Sequence, residues 1–106
     1  MAKYLVMASY TAEGAKGLMK DGGTKRRQAA EQALKSAGGK LEAFYFAFGE
    51  NDAFVIIDAA DHATIASASL AINASGAVHT KTVVLLTPEE IDQATKKSTT
   101  YVPPGR

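Results

Sequence analysis

The sequence contains no cysteine and no tryptophan, and neither sign of charge dominates it. Without cysteine the chain has no disulfide, no thiolate nucleophile and no cysteine-ligated metal, and its composition suits a reducing compartment. Twelve Lys and Arg residues against eleven Asp and Glu give a net charge of +1, which is far from the basic surface typical of nucleic-acid-binding proteins. We therefore expect no nucleic-acid partner.

Long hydrophobic runs are also missing. The apolar stretch near the N-terminus, from Tyr4 to Tyr10, has seven residues, which is too short to cross a bilayer, and no secretory cleavage pattern follows it. With 106 residues, the chain is expected to form one cytoplasmic domain at residues 1–97, followed by an extended tail at residues 98–106. No membrane association is expected.

The most informative feature present is a pair of strand patterns that are apolar on both faces. They flank residues 49–52, where Gly49, Asn51 and Asp52 have the preferences of a hairpin turn, including tolerance of positive φ. A strand with one face in water would alternate polar and apolar residues, and neither strand does so. In an alternative interpretation Glu50 and Asp52 form a carboxylate pair, but an exposed pair on a tight turn is poorly suited to acid–base catalysis.

The remaining patterns predict the fold. They indicate strands at residues 4–10 and 78–86, and helices at residues 12–20, 24–37, 62–75 and 88–97. Gly22-Gly23 separates the first two helices, and Thr24, Asp61 and Thr87 are the predicted N-caps of the helices that follow them. The order strand, helix, strand, strand, helix, strand predicts an α+β fold, a ferredoxin-like antiparallel sheet (βαββαβ) with helices on one face and an extra C-terminal helix.

The second face of this sheet would be as apolar as the first. In the central strands, alternation places Leu5 and Met7 on the face opposite Val6, and Phe54 and Ile56 opposite Val55. Leaving such a face in water would expose a larger apolar patch than soluble monomers tolerate. We therefore expect self-association, as a homodimer or a higher oligomer, with two sheets packed face to face in a dimeric α+β barrel.

Several stretches of the chain resemble one known family. They are Tyr4-Leu-Val, Ser9-Tyr10-Thr11, residues 39–52 and residues 73–78. Over about residues 3–92 the chain is similar to the GYD-domain family, small proteins of the dimeric α/β-barrel group, although the turn at residues 49–52 lacks the tyrosine of the family name. The resemblance implies the fold and a dimer. It implies no particular reaction, because the wider group includes cofactor-free oxygenases, isomerases, haem-handling enzymes and ligand-sensing modules.

Three consecutive cations, Lys25, Arg26 and Arg27, lie in the first turn of the predicted second helix. Cations oppose the helix dipole there, so something else is expected to favour them. One interpretation is an anion site in which Arg26 and Arg27 hold a carboxylate or phosphate. The other is that the cations pair with acidic neighbours such as Asp21 and Glu31 or lie in solvent.

An apolar cavity between sheet and helices needs a few polar groups to orient a ligand. Tyr10, Tyr45, Asn73 and His79 are the candidates for that role, and each has a structural alternative, such as core packing for Tyr45 and a local cap for Asn73. His79 begins a strand whose same face, through Lys81, Val83 and Leu85, is expected to enter the core.

No metal site is expected, because His62 and His79 are the only histidines and have no ligand spacing. His62 is expected to be solvated in the first turn of its helix. Ser9, His79 and Asp58 could be combined into a triad, but no nucleophile elbow accompanies them.

Two classes of function fit these observations. One is a small-molecule-binding or regulatory module that takes a small organic or anionic ligand between sheet and helices. The other is a cofactor-independent enzyme, an oxygenase or isomerase, that acts on a small organic substrate through Tyr and His groups. The absence of a clear acid, base and nucleophile set favours binding without a cofactor and leaves enzymatic activity undecided.

Overall fold

The computed structural model describes residues 2–106. Its elements, in chain order, are β1 (Ala2–Tyr10), α1 (Ala12–Asp21), α2 (Gly23–Ala37), β2 (Lys40–Phe46), β3 (Ala53–Ala59), α3 (His62–Ala74), β4 (Val78–Leu85) and α4 (Pro88–Thr95). The strands form one antiparallel sheet in the order β2-β3-β1-β4. The predicted ferredoxin-like α+β fold, with β1 and β3 at the centre of the sheet, is confirmed.

Helices α2 and α3 pack on one face of the sheet, which we call the covered face. Alternate residues of the central strands point toward it, and Tyr4, Val55 and Ile57 are at most 7% exposed there. Leu34 of α2 and Ile65 of α3 belong to the same core cluster. Burying these large apolar side chains supplies most of the driving force for folding.

The junction between α1 and α2 depends on Gly22, whose φ is 83°. Glycine enters this region of backbone space without steric cost, so one helix can end and the next begin at a single residue. The prediction that Thr24 caps α2 is wrong, because α2 begins at Gly23 and no side chain caps it. The preceding helix, α1, does have a side-chain N-cap: the hydroxyl of Thr11 accepts a hydrogen bond from the amide of Gly14.

The other two predicted caps are confirmed. The carboxylate of Asp61 accepts hydrogen bonds from the backbone amide and the hydroxyl of Thr64, and these bonds lower the pKa of Asp61. Thr87 and Glu90 form the predicted capping box of α4, with Pro88 in its first turn. Helix α4 ends at Thr95 rather than near residue 97.

The connection between β2 and β3 is a loop at residues 47–52, longer than the predicted four-residue turn. None of its residues has a positive φ, so the conformational tolerance of Gly49 and Asn51 is not used. Asp52 fixes the loop to β1 instead: its amide donates to the carbonyl of Ala8, and its carboxylate accepts from the amide of Tyr10, each at 2.8 Å. The loop is therefore anchored at the carboxyl end of β1.

No helix packs on the second face of the sheet within residues 2–106. We call it the open face. Its apolar side chains, placed by the strand register, are Leu5, Met7, Ala43, Tyr45, Phe54, Ile56, Val83 and Leu85. The expectation that β4 turns the side of His79 and Lys81 into the core is wrong, because this side belongs to the open face and Val83 is 42% exposed.

The C-terminal part of the chain extends away from the sheet. Residues 88–106 are exposed except for the partly buried Pro103, and α4 does not pack extensively against any other element. The radius of gyration is 16.9 Å and the longest dimension is 56 Å, whereas a compact domain of this length has a radius of about 13 Å. The helix and the tail therefore project from an otherwise compact domain.

Candidate functional site

A groove opens at the margin of the covered face, between α1, the start of α2, the ends of β1 and β2, and the β2–β3 loop. Its volume is about 460 Å³, within the range of small-molecule sites in proteins. We call it the Tyr10 groove. Its main lining side chains are Tyr10, Ala15, Leu18, Phe46, Phe48 and Asp52.

The walls of the Tyr10 groove are mainly apolar. Leu18 reaches it from α1, and Phe46 reaches it from the end of β2, where it packs edge-on against Phe44 at a centroid distance of 5.0 Å. Phe48, in the β2–β3 loop, is fully exposed. An exposed aromatic side chain at the mouth of an apolar groove can add contact area to a bound organic molecule.

Tyr10 supplies the polar group of this groove. Partial burial raises the pKa of Tyr10, and the carboxylate of Asp52 adds to that effect, while the nearby guanidinium of Arg26 lowers it. Burial has the larger effect, so the phenol stays protonated at neutral pH and can donate a hydrogen bond. The carboxylate of Asp52 is already bound by the amide of Tyr10.

The three consecutive cations of α2 are separated in the structure. Lys25 lies 3.7 Å from Asp21 and Arg27 lies 4.0 Å from Glu31, so for these two the pairing interpretation is confirmed. Among residues 2–106, Arg26 has no ion-pair partner, and it lies on the side of Tyr10. Arg26 is therefore the cation most available to an anionic group in the Tyr10 groove.

Comparison with known proteins places this architecture in a family. The model of the GYD domain matches residues 4–95. The chain belongs to the GYD-domain family. No curated protein and no solved structure matches this GYD domain.

The other candidate residues of this GYD domain do not join the Tyr10 groove. Tyr45 is 71% exposed on the open face of β2, and His79 is exposed on the open face of β4, opposite Ser9 of β1. Because β2 and β4 are the two outer strands of the sheet, Tyr45 and His79 are at least three strand spacings, or about 14 Å, apart. Whether Tyr45 or His79 binds a ligand stays a prediction.

Asn73 connects the end of α3 to β4. Its amide nitrogen donates to the carbonyl of Ser69 at 2.7 Å and to the hydroxyl of Thr80 at 2.8 Å. Its oxygen accepts from the amide of Thr80 at 3.0 Å. These bonds occupy the polar atoms of Asn73, so its evident role is to hold the helix and the strand together.

The interior between the sheet and the helices offers little room for a ligand. The apolar cavity there, lined in part by Val6, Leu34 and Ile72, has a volume of about 50 Å³, well below that of a small-molecule site. The candidate site is therefore the Tyr10 groove at the margin of the covered face rather than a cavity at its centre.

His62 is not simply solvated, as the sequence led us to expect. Its Nδ1 lies 2.6 Å from the hydroxyl of Tyr4, and the two rings meet edge to face. Tyr4 is 2% exposed, so this contact satisfies a buried hydroxyl that would otherwise lack a partner.

The residues of the proposed triad are separated as well. Asp58 pairs with Lys3 at 3.0 Å, while Ser9 lies opposite His79 toward the other end of β1. Lys3 and Ser9 are six residues apart along β1, a distance of about 20 Å. Within residues 2–106, no group of three His, Asp or Glu side chains is arranged to hold a metal ion.

None of the helices in the described part of the chain has the length and apolar content needed to cross a bilayer.

Of the residues that line the Tyr10 groove, sequence reasoning proposed Tyr10 but not Leu18, Phe46 or Phe48. Arg26, also proposed, lies beside Tyr10. Alternation along β2 placed Phe46 on the same side as Phe44, which was a usable signal. Nothing local in the sequence indicates that Leu18 of α1 and Phe48 of the β2–β3 loop line the same groove.

Proposed function

We propose that this protein is a small-molecule-binding module whose site is the Tyr10 groove. The observation that carries the proposal is a mainly apolar groove of about 460 Å³ beside a protonated phenol and an unpaired guanidinium. Apolar walls with a few convergent polar groups are the usual composition of such sites. The ligand expected is a compact organic molecule with an apolar body and an anionic end, the body against Leu18 and Phe46 and the anion toward Arg26.

The groove supports binding more than catalysis. An oxygenase or isomerase acting without a cofactor needs a base within reach of its substrate. The carboxylate that lines the groove, Asp52, already accepts a backbone hydrogen bond, and Tyr10 is held in its protonated form. Tyr10 is therefore suited to hydrogen-bond a ligand rather than to remove a proton from it.

Self-association is part of the same proposal. The open face carries Leu5, Met7, Phe54 and Ile56 at its centre with no helix above them in residues 2–106. Burying this face against a second copy would remove its apolar area from water, which is a favourable term of about 25 cal/mol per Å². The expected assembly is a two-fold dimer with the Tyr10 groove of each copy at the margin.

Thermal unfolding with a panel of aromatic and aliphatic carboxylates and phosphates tests the binding proposal. A ligand present at 100 times its Kd stabilises the native state by about 2.7 kcal/mol, which raises the Tm of a domain of this size by roughly 10 °C. Apolar carboxylates are expected to stabilise the protein more than acetate does. A parent protein that responds to no member of the panel at low ionic strength would contradict the proposal.

Two matched pairs of variants locate the ligand. Ala15→Leu fills the Tyr10 groove and should abolish the response, whereas Ala29→Leu, at an exposed site on α2 outside the groove, should leave it intact. Arg26→Gln should remove the preference for anions, and Arg27→Gln should not, because Arg27 already pairs with Glu31. Equal effects of the two arginine substitutions would place the anion elsewhere.

A further inference from the structure

The segment at residues 86–106, which we call the C-terminal arm, has the features of a segment that docks on another surface. It exposes Leu86, Ile91, Tyr101 and Val102 at 59%, 45%, 72% and 65%. Its helix has a complete capping box, yet an isolated helix of fewer than about 12 residues is only marginally stable in water. A well-formed short helix with exposed apolar side chains gains its stability by docking.

The arm does not dock on its own domain. Helix α4 lacks extensive contact with any other element of residues 2–106, and the molecule is 56 Å long. The arm begins where β4 ends, and β4 is an outer strand of the open face. If a second copy covers the open face, as proposed above, the arm starts at the rim of that interface.

The order of strands determines what the arm meets on the second copy. When the two-fold axis runs along the strands, β4 of one copy lies over β2 of the other, because these are the two outer strands. Lys81 and Tyr45 lie at opposite ends of the row of residues that crosses the sheet through Met7. This axis therefore places Lys81 of one copy over the exposed Tyr45 of the other, which is a favourable cation–aromatic contact. A two-fold axis perpendicular to the strands would instead place the two β4 strands over each other. The Lys81 side chains of both copies would then lie at the same edge of the interface.

With the axis along the strands, the arm of one copy comes close to a second groove, on the other copy. It opens between α2 and β2, and we call it the α2–β2 groove; its volume is about 610 Å³. Its main lining side chains are Gln28, Glu31, Gln32, Lys35, Lys40 and Leu41. Lys40 occupies the same row of the sheet as Leu85, the last residue of β4, so the arm emerges at the level of this groove.

Reach and charge agree with this placement. Helix α4 spans about 12 Å and the residues after it, if extended, about 30 Å, enough to follow the whole length of the partner's sheet. Helix α4 presents Glu89 and Asp92, and Glu90 is used in its own cap. The α2–β2 groove presents Lys35 and Lys40, which form no ion pair among the described residues, whereas its one carboxylate, Glu31, lies 4.0 Å from Arg27.

We infer that the C-terminal arm of one copy binds in the α2–β2 groove of a second copy, so that the two copies exchange arms. Ile91 enters the groove against Leu41, and the acidic first turn of α4 faces Lys35 and Lys40. The inference rests on the proposed self-association and adds to it a defined contact between the arm and the domain of the partner.

The lack of cysteine makes a direct cross-linking test possible. One preparation carries Ile91→Cys on the arm, and a second preparation, with a different tag, carries Gln32→Cys in the α2–β2 groove. Mixed and oxidised with glutathione disulfide, the two should form a mixed disulfide at least tenfold faster than Ile91→Cys does with Ser67→Cys, an exposed control on α3. Equal rates for the two pairs would overturn the inference.

Removal of the arm provides the second measurement. A chain ending at Leu85 should remain folded by circular dichroism, and its dimer dissociation constant in sedimentation equilibrium should rise at least tenfold. A full-length protein that is monomeric at every concentration would refute self-association itself. A full-length dimer whose dissociation constant is unchanged by truncation would refute only the arm exchange.

Discussion

The two faces of the sheet are made of the same kinds of residues and end in different environments. Val55 and Ile57 of β3 point to the covered face and are at most 7% exposed, whereas Phe54 and Ile56, alternating with them, remain partly exposed. Helices α2 and α3 account for the difference, because they pack on one side only. Apolar composition therefore favours the burial of a face, and the topology decides whether the chain's own helices bury it.

The covered face is itself uneven. At its centre the cavity between sheet and helices is about 50 Å³, whereas at its margin the Tyr10 groove is about 460 Å³. The centre is packed by Leu34 and Ile65, while the margin is flanked by α1, which has no buried residue. The same layer is thus closely packed at its centre and leaves a groove at its margin.

The largest effect is expected from placing a charge on each face of β3. Val55→Asp would bury an unpaired carboxylate in the core and should cost several kcal/mol, on the order of the total stability of a small domain. Ile56→Asp should instead leave a folded protein that no longer self-associates. Circular dichroism and sedimentation of both variants measure the two effects, and an Ile56→Asp protein that is folded and still dimeric would show that the open face is not the interface.

A smaller effect is expected at the helix that flanks the covered face. A Cβ added to Gly14 of α1 would overlap the carbonyl oxygen of Ala77, whereas one added to Gly17 meets nothing within 4 Å. Gly14→Ala should therefore destabilise the protein by roughly 1–3 kcal/mol, and Gly17→Ala should stabilise it by about 0.5–1 kcal/mol. Urea unfolding gives both values. Equal and favourable changes would mean that α1 is free to shift away from Ala77.

The smallest effect concerns Tyr10, at the margin. Burial raises its pKa in the folded state above the ordinary value of 10.0, so the native state binds the phenolic proton more tightly than the unfolded state does. The resulting stability is complete below pH 10.0 and is lost as the pH rises through the folded-state pKa. Tyr10→Phe should weaken the decline of the unfolding free energy between about pH 9 and about pH 12, measured by urea unfolding at each pH. A decline identical to that of the parent protein would indicate that Tyr10 is accessible to water.

Several features could be predicted from local sequence because their causes are local. Asp61 and Thr87 cap their helices through bonds that span three residues, and Gly38 ends α2 in the left-handed conformation. Thr24 was mispredicted because the positive φ of Gly22 starts α2 one residue before it. The N-caps formed by side chains were predictable, whereas the start of α2, which depends on the backbone conformation of Gly22, was not.

The sequence by itself determined the α+β class and the apolar character of both faces, since these follow from the periodicity of side chains along single elements. It also determined the order of the strands in the sheet, which follows from the order of the elements along the chain and the right-handed crossover rule. Only the tertiary structure decided that Tyr10 shares a groove with Leu18 and Phe46 and has Arg26 beside it, while Tyr45 and His79 lie on the open face. A groove forms where elements distant in sequence fail to fill the space between them. That space depends on the angles and distances of packing in three dimensions, and no local pattern in the sequence records them.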